Sequence, residues 1–251
     1  GGGNAGCIGC VCRDDTSSTT DLNKGAGITS PANGIPMGDT FDIDYVAHEL
    51  GHQFGANHTF SHNNEGSGVN VEPGSGSTIM GYAGITGQDV QPNSDDHFHY
   101  ASIMQVQANM EGKTCPTITT VTNNTPVADA GRDYIIPIST PFILTGSATD
   151  ADGDALTYCW EQMDDGAGQT TTNSGARANK PTGPNWRSYS PSSSPSRYMP
   201  LLSRVIANQL FTAGSEINVE YLSSVSRTLN FSFTVRDNAG LQSQTDTDNM
   251  V

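Results

Sequence analysis

Five side-chain positions within eleven residues have types and spacing that could do chemistry: His48-Glu49-Leu50-Gly51-His52-Gln53-Phe54-Gly55-Ala56-Asn57-His58. On a helix, residues four apart share one face, so His48 and His52 project two imidazoles toward one point. Glu49 lies beside His48, close enough to reach a water at that point without being a ligand. Gly55 lets the chain leave the helix sharply, and His58 then returns as a third imidazole. Three neutral imidazoles leave a fourth position for water, the arrangement of a catalytic zinc site rather than a closed structural one. Zinc lowers the pKa of a bound water from near 16 to about 7 and polarises a carbonyl. Glu49 is placed to take the proton as water attacks a peptide bond and to hand it to the leaving amine.

The elements that must position these residues are legible in outline. Residues 42–54 read as a helix, with Asp39, Thr40 and Asp42 as candidate caps and Gly55 as its left-handed stop. Residues 4–12 read as a short glycine-rich strand, 13–40 as a loop and 61–96 as loop-rich. Residues 97–110 read as a second helix, with Ile103, Val106 and Met110 at helical spacing. Residues 116–126 have the composition of a linker. Beyond them strands are expected at 134–138, 142–145, 156–160 and 229–235, and 163–200 reads as a long insertion. Leu229, Phe231, Phe233 and Val235 alternate toward one face, as do Leu156, Tyr158 and Trp160, which turns Cys159 outward. Short strands with turn signals suggest a β-sandwich.

Agreement at the five fixed positions of HExxHxxGxxH resembles the metzincin metallopeptidases, in which a methionine turn follows the motif. Ser77-Thr78-Ile79-Met80-Gly81-Tyr82 fits that turn, and by resemblance Met80 floors the three imidazoles. Tyr82, by the same resemblance, ligates zinc or donates a hydrogen bond to the developing oxyanion; otherwise it simply packs. Tyr82-Ala-Gly-Ile85 would line the pocket for the residue after the scissile bond. The flanking runs Gly38–Ala47, Glu72–Tyr82 and Asn93–Tyr100 are similar to the bacterial reprolysin-like branch. The resemblance covers roughly residues 1–115. It implies an α+β metzincin-like catalytic domain with one catalytic Zn2+ held by His48, His52 and His58, Glu49 and Tyr82 as catalytic residues, and extended protein or peptide substrates. Residues 4–12 would be the edge strand that pairs with substrate.

Only 47 residues precede His48, so the domain reads as lacking part of its N-terminal half. Either a separately cleaved N-terminal chain of the same precursor supplies the remainder, or the domain is incomplete. The opening Gly1-Gly2-Gly3 suits a mature or nicked fragment of a longer precursor. The expected organisation is therefore residues 1–115 as the peptidase domain, 116–126 as linker and 127–251 as an all-β Ig/PKD-like sandwich.

The remaining chemistry is less specific. The 251 residues carry 11 Lys plus Arg against 26 Asp plus Glu, a formal charge of −15, which argues against nucleic-acid binding. No run approaches the roughly 18–20 apolar residues of a membrane span. All six histidines lie between 48 and 99; His62, His97 and His99 fall outside the motif and read as a second zinc site or as loop and helix-entry residues. Cys7, Cys10 and Cys12 read as a metal or redox cluster or as disulfide partners, and Cys12 with Cys115 would tie the first strand to the end of the first domain. The odd count of five leaves at least one cysteine free or paired outside the chain. Asp95-Asp96 reads as a helix cap or a calcium ligand. Asp150-Ala-Asp152-Gly-Asp154 reads as a simple turn or a structural Ca2+ loop, and is similar to the Asp-rich turn of PKD and cadherin repeats. Composition and resemblance together imply a secreted, bacterial zinc endopeptidase. The alternatives are a non-catalytic zinc-containing adhesive or substrate-binding protein, and an amidase or peptidase of small substrates.

Overall fold

The computed structural model describes residues 2–14, 16, 23–31, 34–63 and 65–251. Parts of the loop expected at 13–40 (residues 15, 17–22 and 32–33) and Gly1 lie outside the described residues. The architecture mixes several small sheets with few helices.

The N-terminal part opens with strand β1 (Gly2–Asn4), paired antiparallel with β2 (Ile28–Ser30). The strand expected at 4–12 ends at residue 4. Gly6 and Gly9 have positive φ, and the Cys7–Cys10 disulfide holds its Cα atoms 5.9 Å apart. An extended chain would separate such residues by about 10 Å. The cysteines are thus disulfide partners, Cys12 with Cys115 and Cys7 with Cys10, and Cys159 is free and buried.

The first helix starts three residues earlier than expected. It begins at Asp39–Phe41, widens into π-type turns over Asp42–Ala47 and tightens into α1 (His48–Phe54). Asp42 caps it by accepting a hydrogen bond from the Gly38 N–H at 3.1 Å. At the other end Gly55 takes φ 116°, and its N–H closes onto His52. A Cβ there would also lie 2.7 Å from the Asn109 Cβ, so glycine is required twice over. Helix α2 (Tyr100–Glu111) begins later than the expected residue 97, because His99 is its cap: its Nδ1 accepts from the Ala101 N–H at 3.1 Å. Asp95 and Asp96 therefore do not cap it.

Residues 116–126 run largely exposed into an all-β C-terminal part. Its central sheet has the order β11 (Thr245–Met250), β10 (Phe231–Arg236), β6 (Thr157–Gln162), all antiparallel. Two-stranded pairs surround it: β3 (Val127–Asp129) with β5 (Ser147–Thr149), β4 (Phe142–Thr145) with β7 (Ser196–Met199), and β8 (Phe211–Ala213) with β9 (Asn218–Tyr221). A short helix, α3 (Leu202–Ile206), links β7 to β8. The strand expected at 134–138 is absent. Pro137 lacks an N–H, and Tyr134 donates only to the carbonyl of Val251. The stretch expected to be an insertion, 163–200, contains β7 at its end.

One face of β6 and β10 carries Trp160, Phe231, Phe233 and Val235 into the main core with Leu144, Trp186, Met199 and Met250. The other face carries Cys159, Glu161, Ser232 and Thr234, and these are buried as well. Cys159 does face away from the core, but the N-terminal part and the 163–195 segment cover it. Asn70 exchanges hydrogen bonds with Asp165 and Gly166, and Val90 O accepts from Ser215 N at 3.0 Å. The two parts are packed together across polar faces rather than joined by the linker alone.

Candidate metal centre

Helix α1 presents His48 and His52 one turn apart, and the bend at Gly55 brings His58 to face them. Ring centroids are 4.8 Å apart for His48 and His52, 4.5 Å for His52 and His58, and 5.2 Å for His48 and His58. Each ring is oriented through its Nδ1. His48 Nδ1 lies 2.7 Å from the Ile79 carbonyl oxygen and His52 Nδ1 lies 2.7 Å from that of Ala56. His58 Nδ1 lies 2.8 Å from Oε2 of Glu65. Because carbonyl and carboxylate oxygens only accept, these partners assign the proton to Nδ1 in all three rings and leave each Nε2 with a bare lone pair.

That assignment tests whether a metal fits. The Nε2 atoms of His52 and His58 face each other at 3.0 Å with no proton between them. Two lone pairs at that distance repel unless a cation lies between. Nitrogen ligands at about 2.0–2.1 Å on a tetrahedral zinc stand roughly 3.3 Å apart. Ligand atoms of His48, His52 and His58 all lie within 4.8 Å of one another. Burial, ahead of repulsion from neighbouring histidines, holds His48 and His58 down at about 3, and burial lowers His52 against the Ala56 carbonyl and Glu65, so the rings stay neutral and able to ligate.

Met80 is fully buried against Ile79 and Ala56, with Ile43, Ala47 and Phe98 around them. A Cβ at Gly51 would lie 2.5 Å from the Met80 sulfur, so the absence of a side chain there is what lets the turn press against the helix. Tyr82 packs over two of the imidazoles, its ring 4.5 Å from His58 and 5.5 Å from His48. Burial pushes its hydroxyl pKa above the ordinary value, which keeps it a donor at neutral pH.

Glu49 follows His48 and is half-buried under the N-terminal strand. Burial raises its pKa, and the nearby Ala5 backbone opposes this less strongly. A side chain at Gly3 would collide with the Glu49 carboxyl group. Sequence reading attached no role to Gly3, nor to Gln53, which reaches back to donate to the Ala5 carbonyl. The turn closed by Cys7–Cys10 finishes the helix: Gly9 N–H and Val11 N–H donate to the carbonyls of His52 and Gln53 at 2.8 and 3.0 Å.

Two further acidic residues were missed. Glu65 orients His58, as above. Glu72 is buried and accepts from Thr59 Oγ1 at 2.6 Å, Ser77 N at 2.9 Å, Thr78 N at 3.2 Å and Thr78 Oγ1 at 2.5 Å. It fastens the residue after His58 to the residues before Met80. The run from Glu72 to Met80 was visible in sequence as a flank of the motif, and a lone Glu among Gly, Ser and Thr is the signal that could have singled it out.

The remaining clusters differ in character. His97, Cys159 and Glu161 bring ligand-type atoms within 4.8 Å of one another. The Ser188 hydroxyl already lies between two of them, 3.0 Å from His97 Nε2 and 2.5 Å from Glu161 Oε1, while His97 Nδ1 is buried without a hydrogen-bond partner. Asp150, Asp152 and Asp154 form a half-exposed turn in which Asp150 accepts from the backbone of the other two at 3.0 and 2.9 Å. His62 is not among the converging ligand-type groups; its ring lies 4.4 Å from Phe60 and 6.3 Å from Tyr82. An apolar cavity of about 410 Å3 on the C-terminal part, lined by Ile136, Leu144, Leu222 and Leu229 among others, shares no residue with the histidine site. Among the described residues no helix is long and apolar enough to cross a membrane.

Residues 1–110 match the family model of the reprolysin-like members of metallopeptidase family M12B. No curated protein and no solved structure matches the chain. The family match supports a zinc metallopeptidase in general, and with it protein or peptide substrates.

Proposed function

We propose that the chain is a secreted zinc endopeptidase of the metzincin type. The observation that carries this reading is the convergence of three imidazoles, each oriented through Nδ1, with Glu49 on the same helical turn as the first of them. His48, His52 and His58 would hold the zinc, and Met80 would form the floor of a Met-turn beneath it. Bound zinc supplies a Lewis acid and an acidified water.

The chain's own residues do the rest. Glu49 takes the proton of the attacking water and delivers it to the leaving amine; its raised pKa brings it nearer the working range of a general base. Tyr82 stays protonated and donates toward the oxygen on which negative charge develops. The outer edge of β1 is free among the described residues, and Gly3 of that strand lies against the Glu49 carboxyl. An extended peptide paired along it would have a scissile bond close to that carboxylate. This replaces the longer 4–12 strand as the substrate edge.

A purely structural zinc gives no reason for Glu49 to sit beside the ligands, which argues against a non-catalytic binding protein. The C-terminal part reads as an Ig/PKD-like sandwich, and Asp150, Asp152 and Asp154 are the place for a structural Ca2+. The test is cleavage of a denatured protein substrate by the zinc-loaded chain, abolished by a chelator and restored by zinc. Hydrolysis indifferent to the chelator, or seen only with short peptides, would count against the endopeptidase reading.

A further inference from the structure

Residues 95–100 lie between the Met80 turn and the C-terminal sheet, and both sides grip them. Toward the metal centre, Asp95 N–H donates to the Ser77 carbonyl at 2.7 Å and His97 O accepts from Ile79 N–H at 3.1 Å. Phe98 packs on Ile79 and Met80. The carbonyl of that same Ile79 is the partner of His48 Nδ1.

Toward the C-terminal part, Arg187 pairs with Asp95 at 3.0 Å, and Arg236 donates to the Phe98 carbonyl at 3.2 Å. Glu161 on β6 does most. It is fully buried, its Oε2 accepts from the Tyr100 N–H at the start of α2 at 2.8 Å, and its Oε1 accepts from Ser188 Oγ. His97 Nε2 and His99 Nε2 stand 3.6 and 3.9 Å from Oε1. A buried carboxylate facing two imidazoles, a hydroxyl and a helix N-terminus has one low-energy place to be, and it fixes what surrounds it.

We propose that Glu161 is a positioning residue for the metal centre, so that the C-terminal sheet is a working part of the peptidase and not an appended module. It holds His97, whose backbone holds Ile79, whose carbonyl orients His48. This rests on the zinc reading above. Outer-shell groups that orient a metal-bound imidazole typically change metal affinity by about 10–100-fold.

The test uses the full chain and reads zinc affinity by chelator competition and the visible spectrum of the Co(II)-loaded protein. Three variants are compared with wild type: Glu161→Gln, the milder Arg236→Met, and Phe233→Val on the opposite, core-facing side of the same sheet. Glu161→Gln is expected to weaken zinc about tenfold or more and to shift the cobalt bands. Arg236→Met should move both in the same direction by less, and decides the question if Glu161→Gln does not fold. Phe233→Val should lower thermal stability yet keep the wild-type zinc affinity and spectrum. The proposal is overturned if the first two variants match wild type, or if Phe233→Val alters the site as they do. If wild type itself binds no zinc, the functional reading fails first.

Discussion

Oε2 of Glu65 lies 2.8 Å from Nδ1 of His58, so a carboxylate seven residues downstream sets the tautomer of the third imidazole. His48 and His52 lean on backbone carbonyls, which no substitution removes, whereas His58 depends on a side chain. Glu65→Gln should retain the fold and weaken zinc by roughly tenfold or more. A chelator titration of wild type and variant measures this, and equal affinities would show that Glu65 is a bystander.

Gly3 separates the base from the ligands. The atoms a methyl group there would meet first all belong to the Glu49 side chain. The long Glu49 side chain can yield, so Gly3→Ala should fold and bind zinc normally but lose kcat/KM by roughly 10²-fold, the cost of a misplaced catalytic group. Zinc stoichiometry measured beside peptide hydrolysis distinguishes this from general damage, in which both fall together.

Glu72 answers for the join between the His58 segment and the Met80 turn. Four donors within 3.2 Å converge on it in a site 1% exposed. Glu72→Gln turns an amide N–H2 toward donors and should cost about 2 kcal/mol, in the range for hydrogen bonds to charged groups. Urea denaturation with an unchanged m-value reads this directly.

How far the site could be read from sequence follows from periodicity. His48, His52 and Glu49 were legible because a helix repeats every 3.6 residues, and Gly55 because it is one of the few residues suited to the left-handed stop. The alternation of Leu229 to Val235 was legible for the same kind of reason at period two. The other face of that sheet was not: Ser232, Thr234, Cys159 and Glu161 look like solvent-facing residues until the N-terminal part covers them. Glu65 and Gly3 act through loop geometry, which leaves no period. The strand expected over 4–12 failed because Gly6, Gly9 and the Cys7–Cys10 bond all favour turns over extension.

The buried ion pair between the two parts makes stability depend on pH. Burial opposes the charge on His97, but Cys159 and Glu161 outweigh it and carry the ring up to about 10. Burial likewise opposes the charge on Glu161, and His99, His97 and Arg236 hold it well below the ordinary carboxylate range. A raised histidine pKa adds stability that is complete below the unfolded value, about 6.5, and lost as pH rises toward 10. A depressed carboxylate pKa adds stability that is complete above about 4.5 and lost in acid. The difference in unfolding free energy between wild type and Glu161→Gln should therefore be largest between about pH 4.5 and 6.5. A difference that is flat from pH 4 to 9 would show that the pair is not ionic.

The measurement that bears most directly on the central claim pairs metal content with hydrolysis for wild type and Glu49→Ala. The account predicts one zinc per chain in both, and cleavage of an unfolded protein substrate by wild type alone. Zinc bound by both proteins with neither cleaving, or cleavage undiminished in Glu49→Ala, would contradict it.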